Sequence, residues 1–268
     1  MKNFKDRPDL PGWVDMKQSR GIYFFTRDEA LEELKFSSMA FRKAALRLTG
    51  KNRVLRIHGS FYVIIPLEYA AGGVLPPEWF IDDLMHYIEL PYYVGLLSAA
   101  ILHGAAHQQP QQYQVVTTKP LREARLRSLA MRFFVKKGFP HTPVIQIKVQ
   151  TGSIAVSTPE ATALDLVRYA RSIGGLDRVF TVLQELGEVL DANTLATTAQ
   201  SDGNITYAQR LGWLLEKAGF SRITGPLSEW TRQKKPFPVR LEPSLSIRGS
   251  ILDNRWNLLV NASVESDL

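Results

Sequence analysis

The sequence predicts an α+β protein. It should hold an N-terminal winged helix-turn-helix at residues 1–66, a linker at 67–77, and a larger mixed α/β domain at 78–268 with a modest sheet flanked by helices. Three observations lead there. The charge is uneven: residues 1–66 hold thirteen Lys/Arg against seven Asp/Glu, while the remaining 202 hold twenty against nineteen. Within the first part, start and stop signals run in the order helix, helix, helix, hairpin. Pro66, Gly72-Gly73 and Pro76-Pro77 then punctuate the chain, and segments of helical and strand period alternate beyond them.

The first helix is expected from Trp13 to Gly21, where the glycine closes it. Thr26-Arg27-Asp28-Glu29 has a hydroxyl residue followed three later by Glu, a capping box that satisfies the free N–H groups of a second helix start. Ala30, Leu31 and Leu34 supply the apolar side of that helix. Lys35-Phe36 make a tight connection, and Ser37 or Ser38 caps a third helix running to about Thr49. Helical spacing puts Phe41, Ala44, Ala45 and Leu48 on one face and Met39, Arg42, Lys43 and Leu46 on the other. Leu46 is apolar on the outer face, a placement that contact with the wing would explain.

Gly50 stops this helix. Val54–Ile57 and Phe61–Ile65, joined by His58-Gly59-Ser60, read as a hairpin. From Leu34 to Leu67 there is no Asp or Glu, and seven cations lie between Lys35 and Arg56. A basic patch confined to one short segment implies a localised anionic partner. Double-stranded DNA fits best. Arg42 and Lys43 would reach base edges, with Ser37, Ser38, Met39 and Arg47 along the same helix. Lys51, Arg53, Arg56 and His58 would hold backbone phosphates from the wing. No pair of exposed aromatics is apparent on a basic sheet face, which argues against RNA.

In the second part, helices are expected at Glu78–Ile88 and Tyr92–His103, and strands at Tyr113–Thr117, Met131–Val135, Val144–Val149 and Ile154–Val156. The Ile145, Ile147, Val149 alternation suits a sheet with one buried face. Ser157-Thr158-Pro159-Glu160 opens another helix with a hydroxyl cap and an early proline. Helices follow near Gly175–Leu186, Asp191–Ala199 and Thr206–Ala218, and the tail Arg240–Ser263 reads as strands. The aromatic group Trp79, Phe80, Tyr87, Tyr92 and Tyr93 is expected in the core.

Several strings carry a family resemblance. They are Tyr92-Tyr93-Val94-Gly95-Leu96-Leu97-Ser98-Ala99-Ala100 with His103-Gly104, Gln114-Val115-Val116-Thr117, Val156–Val167, and the closing Asp253–Asn261. Together they resemble the AbiEi family, the antitoxin and transcriptional regulator of a bacterial type IV toxin–antitoxin system linked to phage defence. The resemblance implies an N-terminal domain that represses its own operon at inverted repeats. It further implies a C-terminal domain that counters a nucleotidyltransferase-like toxin without a stable complex, and no enzymatic activity of its own.

The composition excludes other chemistries. The 268 residues are 45% apolar, enough for a packed core, and contain no cysteine. Disulfides, Cys-containing zinc sites, iron–sulfur ligation and thiol catalysis are therefore out. The segment 1–13 has charges and prolines where a signal peptide needs an apolar run, and Tyr92–Ala106 is too short and polar to span a bilayer, so a cytoplasmic protein is expected, with no membrane partner. His103 and His107, four apart, lack an evident third ligand for a metal, so no metal or other cofactor is expected. Ser98 near His103 lacks a nucleophile elbow. Glu160 and Asp165 could hold Mg²⁺ in a DNA-binding nuclease, the first alternative, although a helix-start role already explains Glu160. A winged helix that binds protein, as an adaptor, is the second.

Overall fold

The computed structural model describes residues 9–70, 75–105, 112–126 and 129–266. The first part contains α1 (Leu10–Ser19), β1 (Phe24–Thr26), α2 (Arg27–Leu34), α3 (Ser38–Gly50), β2 (Val54–His58) and β3 (Phe61–Ile64). Asp9 caps α1 by accepting from the Gly12 amide at 2.9 Å, so the helix starts three residues before the predicted Trp13. The capping box of α2 is present: the Glu29 amide donates to Thr26 Oγ1 at 3.2 Å, and the Thr26 amide donates to Glu29 Oε2 at 3.3 Å. Glu29 also pairs with Lys17, and Trp13 Nε1 donates to Glu33 Oε2 at 2.7 Å, which ties α1 to α2. Lys35 ends α2 in the left-handed region at φ 54°. The predicted three-residue hairpin connection is shorter, because His58 still pairs with Phe61 and only Gly59 and Ser60 turn. The short strand β1 was not expected from the sequence. It adds to β3, giving a sheet ordered β1-β3-β2.

This small sheet is apolar on both faces. Phe25, Val54 and Ile64 point into a cluster with Trp13, Phe41, Ala45 and Leu48 of the helices. Their alternating neighbours Phe24, Leu55, Phe61 and Val63 point the other way, into a cluster built mainly from residues beyond 74. The division expected after residue 66 is therefore crossed by one continuous hydrophobic cluster.

The chain continues through α4 (Leu67–Ala70), a 3₁₀ turn at Pro77–Trp79, α5 (Ile81–Ile88), β4 (Tyr92–Val94), α6 (Leu96–Leu102), β5 (Gln112–Thr117), β6 (Ala124–Leu126) and β7 (Leu129–Val135). Then come β8 (Val144–Val149), β9 (Gly152–Ser157), α7 (Pro159–Arg168), α8 (Leu176–Leu186), α9 (Ala192–Asp202), α10 (Ile205–Lys217) and α11 (Gly225–Gln233). Three short strands close it: β10 (Val239–Arg240), β11 (Ile251–Asp253) and β12 (Leu258–Val260). A six-stranded mixed sheet, β6-β7-β5-β4-β9-β8, forms the centre. On one face Tyr93, Val116 and Phe134 meet the layer of helices α6 to α11. On the other, Val94, Tyr113, Val115, Met131 and Val156 meet α5 and the small sheet.

Three expectations are corrected by the structure. Tyr92–Val94 is a strand, not the start of a helix, because it is inserted between β5 and β9 and its apolar run is buried on both faces. The chain turns into α6 only after Gly95, where Leu96 adopts φ 57°. A Cβ on Gly95 would lie 2.9 Å from Val116 Cγ2, which explains the glycine. In β8, Ile147 and Val149 lean on the core, but Ile145 is exposed, because β8 is an edge strand whose start runs past the layer beneath it. Of the predicted aromatic core, Phe80 and Tyr93 are fully buried, whereas Tyr87 is exposed beside the hairpin tip.

The tail folds back over α10. Gln209 Nε2 donates to the Trp256 and Asn257 carbonyls at 2.9 and 3.0 Å, and the Trp256 ring lies flat over Gly212. A methyl group at Gly212 would overlap that ring. Gly212→Ala is expected to lower the unfolding free energy by about 3 kcal/mol in urea denaturation, because a rigid buried indole cannot yield. An unchanged midpoint would show that the tail packs elsewhere.

Candidate nucleic-acid interface

The outward face of α3 is built by its own sequence. Ser37, not Ser38, is the cap: its hydroxyl accepts from the Ala40 amide at 3.2 Å. Ser38 is tied instead to α2, accepting from Arg27 Nη2 at 2.9 Å. Phe41, Ala44, Ala45 and Leu48 are buried, and the two alanines let α3 approach its neighbours closely. The opposite face carries Met39, Arg42, Lys43, Leu46 and Arg47, all exposed. Leu46 is 72% exposed, so contact with the hairpin does not explain it.

Beside this face runs a groove of about 530 Å³ between α3 and the start of α1. Phe36, Ala40, Ala44 and Leu48 line it together with Lys43, Arg47 and Lys51, three cations spaced one helical turn apart. On the hairpin, Arg56 and His58 are exposed. Arg56 Nε donates to the Gly59 carbonyl at 2.5 Å and so braces the turn. Arg53 faces inward: its Nη2 donates to Asp15 Oδ1 at 2.7 Å and to Gln18 Oε1 at 3.3 Å. The structure thus brings Met39, Arg42, Lys43, Arg47 and Lys51 together on α3, sets Arg56 and His58 on the hairpin, and turns Arg53 toward α1. The hairpin tip rests on α5, where the Ser60 amide donates to the Tyr87 hydroxyl at 3.2 Å.

A second basic stretch escaped the sequence reading. Residues 90–159 carry eight Lys/Arg and a single acid, Glu123. Totalling the charge over the whole second part averaged it with residues 67–89, which carry five acids and no Lys or Arg. The stretch is placed tellingly, because β6 runs alongside β2 at the edge of the small sheet. Arg122, just before β6, and Arg125 within it are exposed, and Arg125 lies 3.6 Å from Glu123 at the surface.

The predicted chemistry candidates are occupied otherwise. Glu160 Oε1 accepts from the Asp191 amide at 3.2 Å. Asp165 accepts from the Tyr93 hydroxyl at 2.6 Å and pairs with Lys136 Nζ at 2.8 Å, so the two carboxylates do not share a site. His103 Nε2 sits 2.7 Å from the Ser157 carbonyl, and His107 lies outside the described residues. Among the described residues no group of three His, Cys, Asp or Glu could hold a metal, and no helix is long and apolar enough to cross a membrane.

Residues 93–217 match the family model described as the AbiEi antitoxin C-terminal domain. The chain carries an AbiEi antitoxin domain. Among solved structures, the RV2827C protein from Mycobacterium tuberculosis superposes with a TM-score of 0.67 at 15% identity, over 92% of this chain and 89% of that one. At such identity the likeness speaks of the fold alone. The antibiotic-resistance factor ANT(2'')-Ia matches 57% of this chain and 94% of its own at 10% identity, but with a TM-score of 0.27 it carries no argument. Among curated proteins none matches.

The AbiEi domain is organised around a buried ionic cluster. Lys136, with 2% of its side chain exposed, lies 2.8 Å from Asp165 and 3.2 Å from Asp202. Arg168 closes the cluster at 2.5 Å from Asp202 and packs over the Tyr207 ring. Burial, followed by the Asp165 charge and hydrogen bond, pushes the Tyr93 hydroxyl far above its ordinary range, so it stays protonated and donating. The cluster joins β4, the residue that follows β7, α7 and α9. Asp165→Ala would leave Lys136 half-compensated and the Tyr93 hydroxyl without an acceptor. A loss of about 3–5 kcal/mol in urea unfolding is expected. A loss under about 1 kcal/mol would mean that Asp202 alone neutralises the lysine.

Proposed function

We propose that the chain is a sequence-specific DNA-binding repressor, with residues 1–66 as its winged helix-turn-helix, acting as the antitoxin of a type IV toxin–antitoxin system. In this reading it represses its own operon at inverted repeats and counters a nucleotidyltransferase-like toxin without forming a stable complex with it. The observation that carries the DNA reading is the free outer face of α3. Met39, Arg42, Lys43 and Leu46 are exposed on a helix that lies next to a cationic hairpin, in the element order helix, helix, helix, hairpin. Arg42 and Lys43 are the base-reading cations. Arg47, Lys51, Arg56 and His58 contact phosphates, and Arg53 acts mainly by holding α1 against the hairpin. The antitoxin reading rests on the AbiEi domain.

We extend the anionic contact onto the larger part of the chain through Arg122 and Arg125. The duplex would then pass from α3 across β2 to β6. Each phosphate contact adds to the salt dependence of binding by counterion release.

The test is binding of the full chain to the DNA upstream of its own reading frame, measured by anisotropy over a range of salt. Arg42→Ala is expected to cost about 1–3 kcal/mol and to blur preference at one base pair. Arg56→Ala should weaken all sequences alike and lower the salt slope by about one. Arg122→Ala with Arg125→Ala should lower the slope by about two and leave base preference intact. If Arg42→Glu, Lys43→Glu and Arg56→Glu together leave binding unchanged, the assignment is wrong. Rescue of growth by this chain when an adjacent nucleotidyltransferase-like frame is expressed tests the antitoxin role. Rescue by a chain lacking DNA binding is expected too.

A further inference from the structure

We infer that Met39 and Leu46 read thymine methyl groups in the major groove, a specificity that rests on α3 being the reading helix. Before Leu67, these are the two large hydrophobic side chains left exposed among the described residues, at 64% and 72%. Every other large apolar side chain of α3 is buried. They are seven apart, so they project to nearly the same side of the helix, about 10.5 Å from one another along its axis. That distance is about three base-pair steps at ~3.4 Å each. The apolar line has a cationic frame: Arg42 stands on one side, and Lys43 and Arg47 stand on the other.

The pattern complements a groove whose floor shows methyl groups and whose rims are phosphates. Thymine presents its C5-methyl there, beside an O4 acceptor, and apolar side chains discriminate it from cytosine by that methyl alone. Arg and Lys contact guanine edges and phosphates and are blind to the methyl. A protein partner would call for a broader apolar area than two side chains within a ring of cations. The inference also accounts for the exposure of Leu46, which packing against the hairpin does not.

The experiment uses the full chain and duplexes it selects from a random-sequence pool. Each selected duplex is made twice, with thymine and with deoxyuridine, which lacks only the methyl. The wild-type chain is expected to bind the deoxyuridine duplex about fourfold more weakly for each contacted methyl, the worth of burying one methyl-sized group. Met39→Ala with Leu46→Ala should bind the thymine duplex weakly and be indifferent to the exchange. Both side chains are exposed, so the variant should keep its melting temperature and its salt slope. Equal wild-type binding to both duplexes overturns the inference and leaves the DNA-reading assignment standing. So does undiminished methyl sensitivity in the double variant. A variant that stays methyl-blind but changes the sedimenting mass would place these residues in contact between copies, and it also overturns the inference. If no duplex is selected at all, the reading of α3 fails first.

Discussion

The small sheet of the first part serves two hydrophobic cores at once, and the placement of everything else follows from it. Strand β3 alternates Phe61 and Val63 toward the large sheet with Ile64 toward the three helices. A period of two makes this a strict assignment, since a slip of one residue would turn every side chain into the wrong core. The helices therefore cannot rotate against the larger part of the chain without opening a buried apolar contact. The rings of Phe24 and Phe61 stack at 5.2 Å on one side of the sheet, and those of Phe25 and Tyr62 stack at 5.2 Å on the other. Both layers are fixed by the same three strands.

Against that rigid background the polar groups divide by role. The AbiEi strings lie mostly where the chain holds itself together. Tyr93 binds Asp165, Ser98 accepts from the Gln114 amide at 2.9 Å, and the Thr117 hydroxyl donates to the Pro91 carbonyl at 2.7 Å. Thr158 caps α7, and Asn257 and Asn261 pin the tail. None of these is a free surface group. The cations on the outer face of α3 are the reverse: Arg42, Lys43 and Arg47 face solvent. The family match, residues 93–217, covers much of the first set and none of the second.

Much of this was legible in the sequence. The capping box at Thr26, the buried face of α3, the hairpin, the strand Val144–Val149 and the helix beginning at Pro159 all follow from local rules whose partners are near in the chain. What was missed depends on distant partners. Tyr92–Val94 has the apolar run of a helix as much as of a strand, and only its insertion between β5 and β9 decides. The inward turn of Arg53 depends on Asp15, thirty-eight residues away. The helix Gly225–Gln233 is too weakly patterned to declare itself. The cationic stretch around Arg122 and Arg125 was visible in the letters but lost in a domain-wide sum. A running count of acids would have found it, since one glutamate in seventy residues is a strong signal.

The two-sided sheet bears on how the molecule can be taken apart. A fragment cut after residue 66 would present Phe24, Leu55, Ile57, Phe61 and Val63 to water as a bare greasy plane. Such a plane is an adhesive, and copies would clump before meeting any ligand. Loss-of-function alleles at Met85 or Ile154, far from α3 in the chain, would likewise act by loosening the floor beneath it. Genetics alone would then confuse the foundation with the helices it carries.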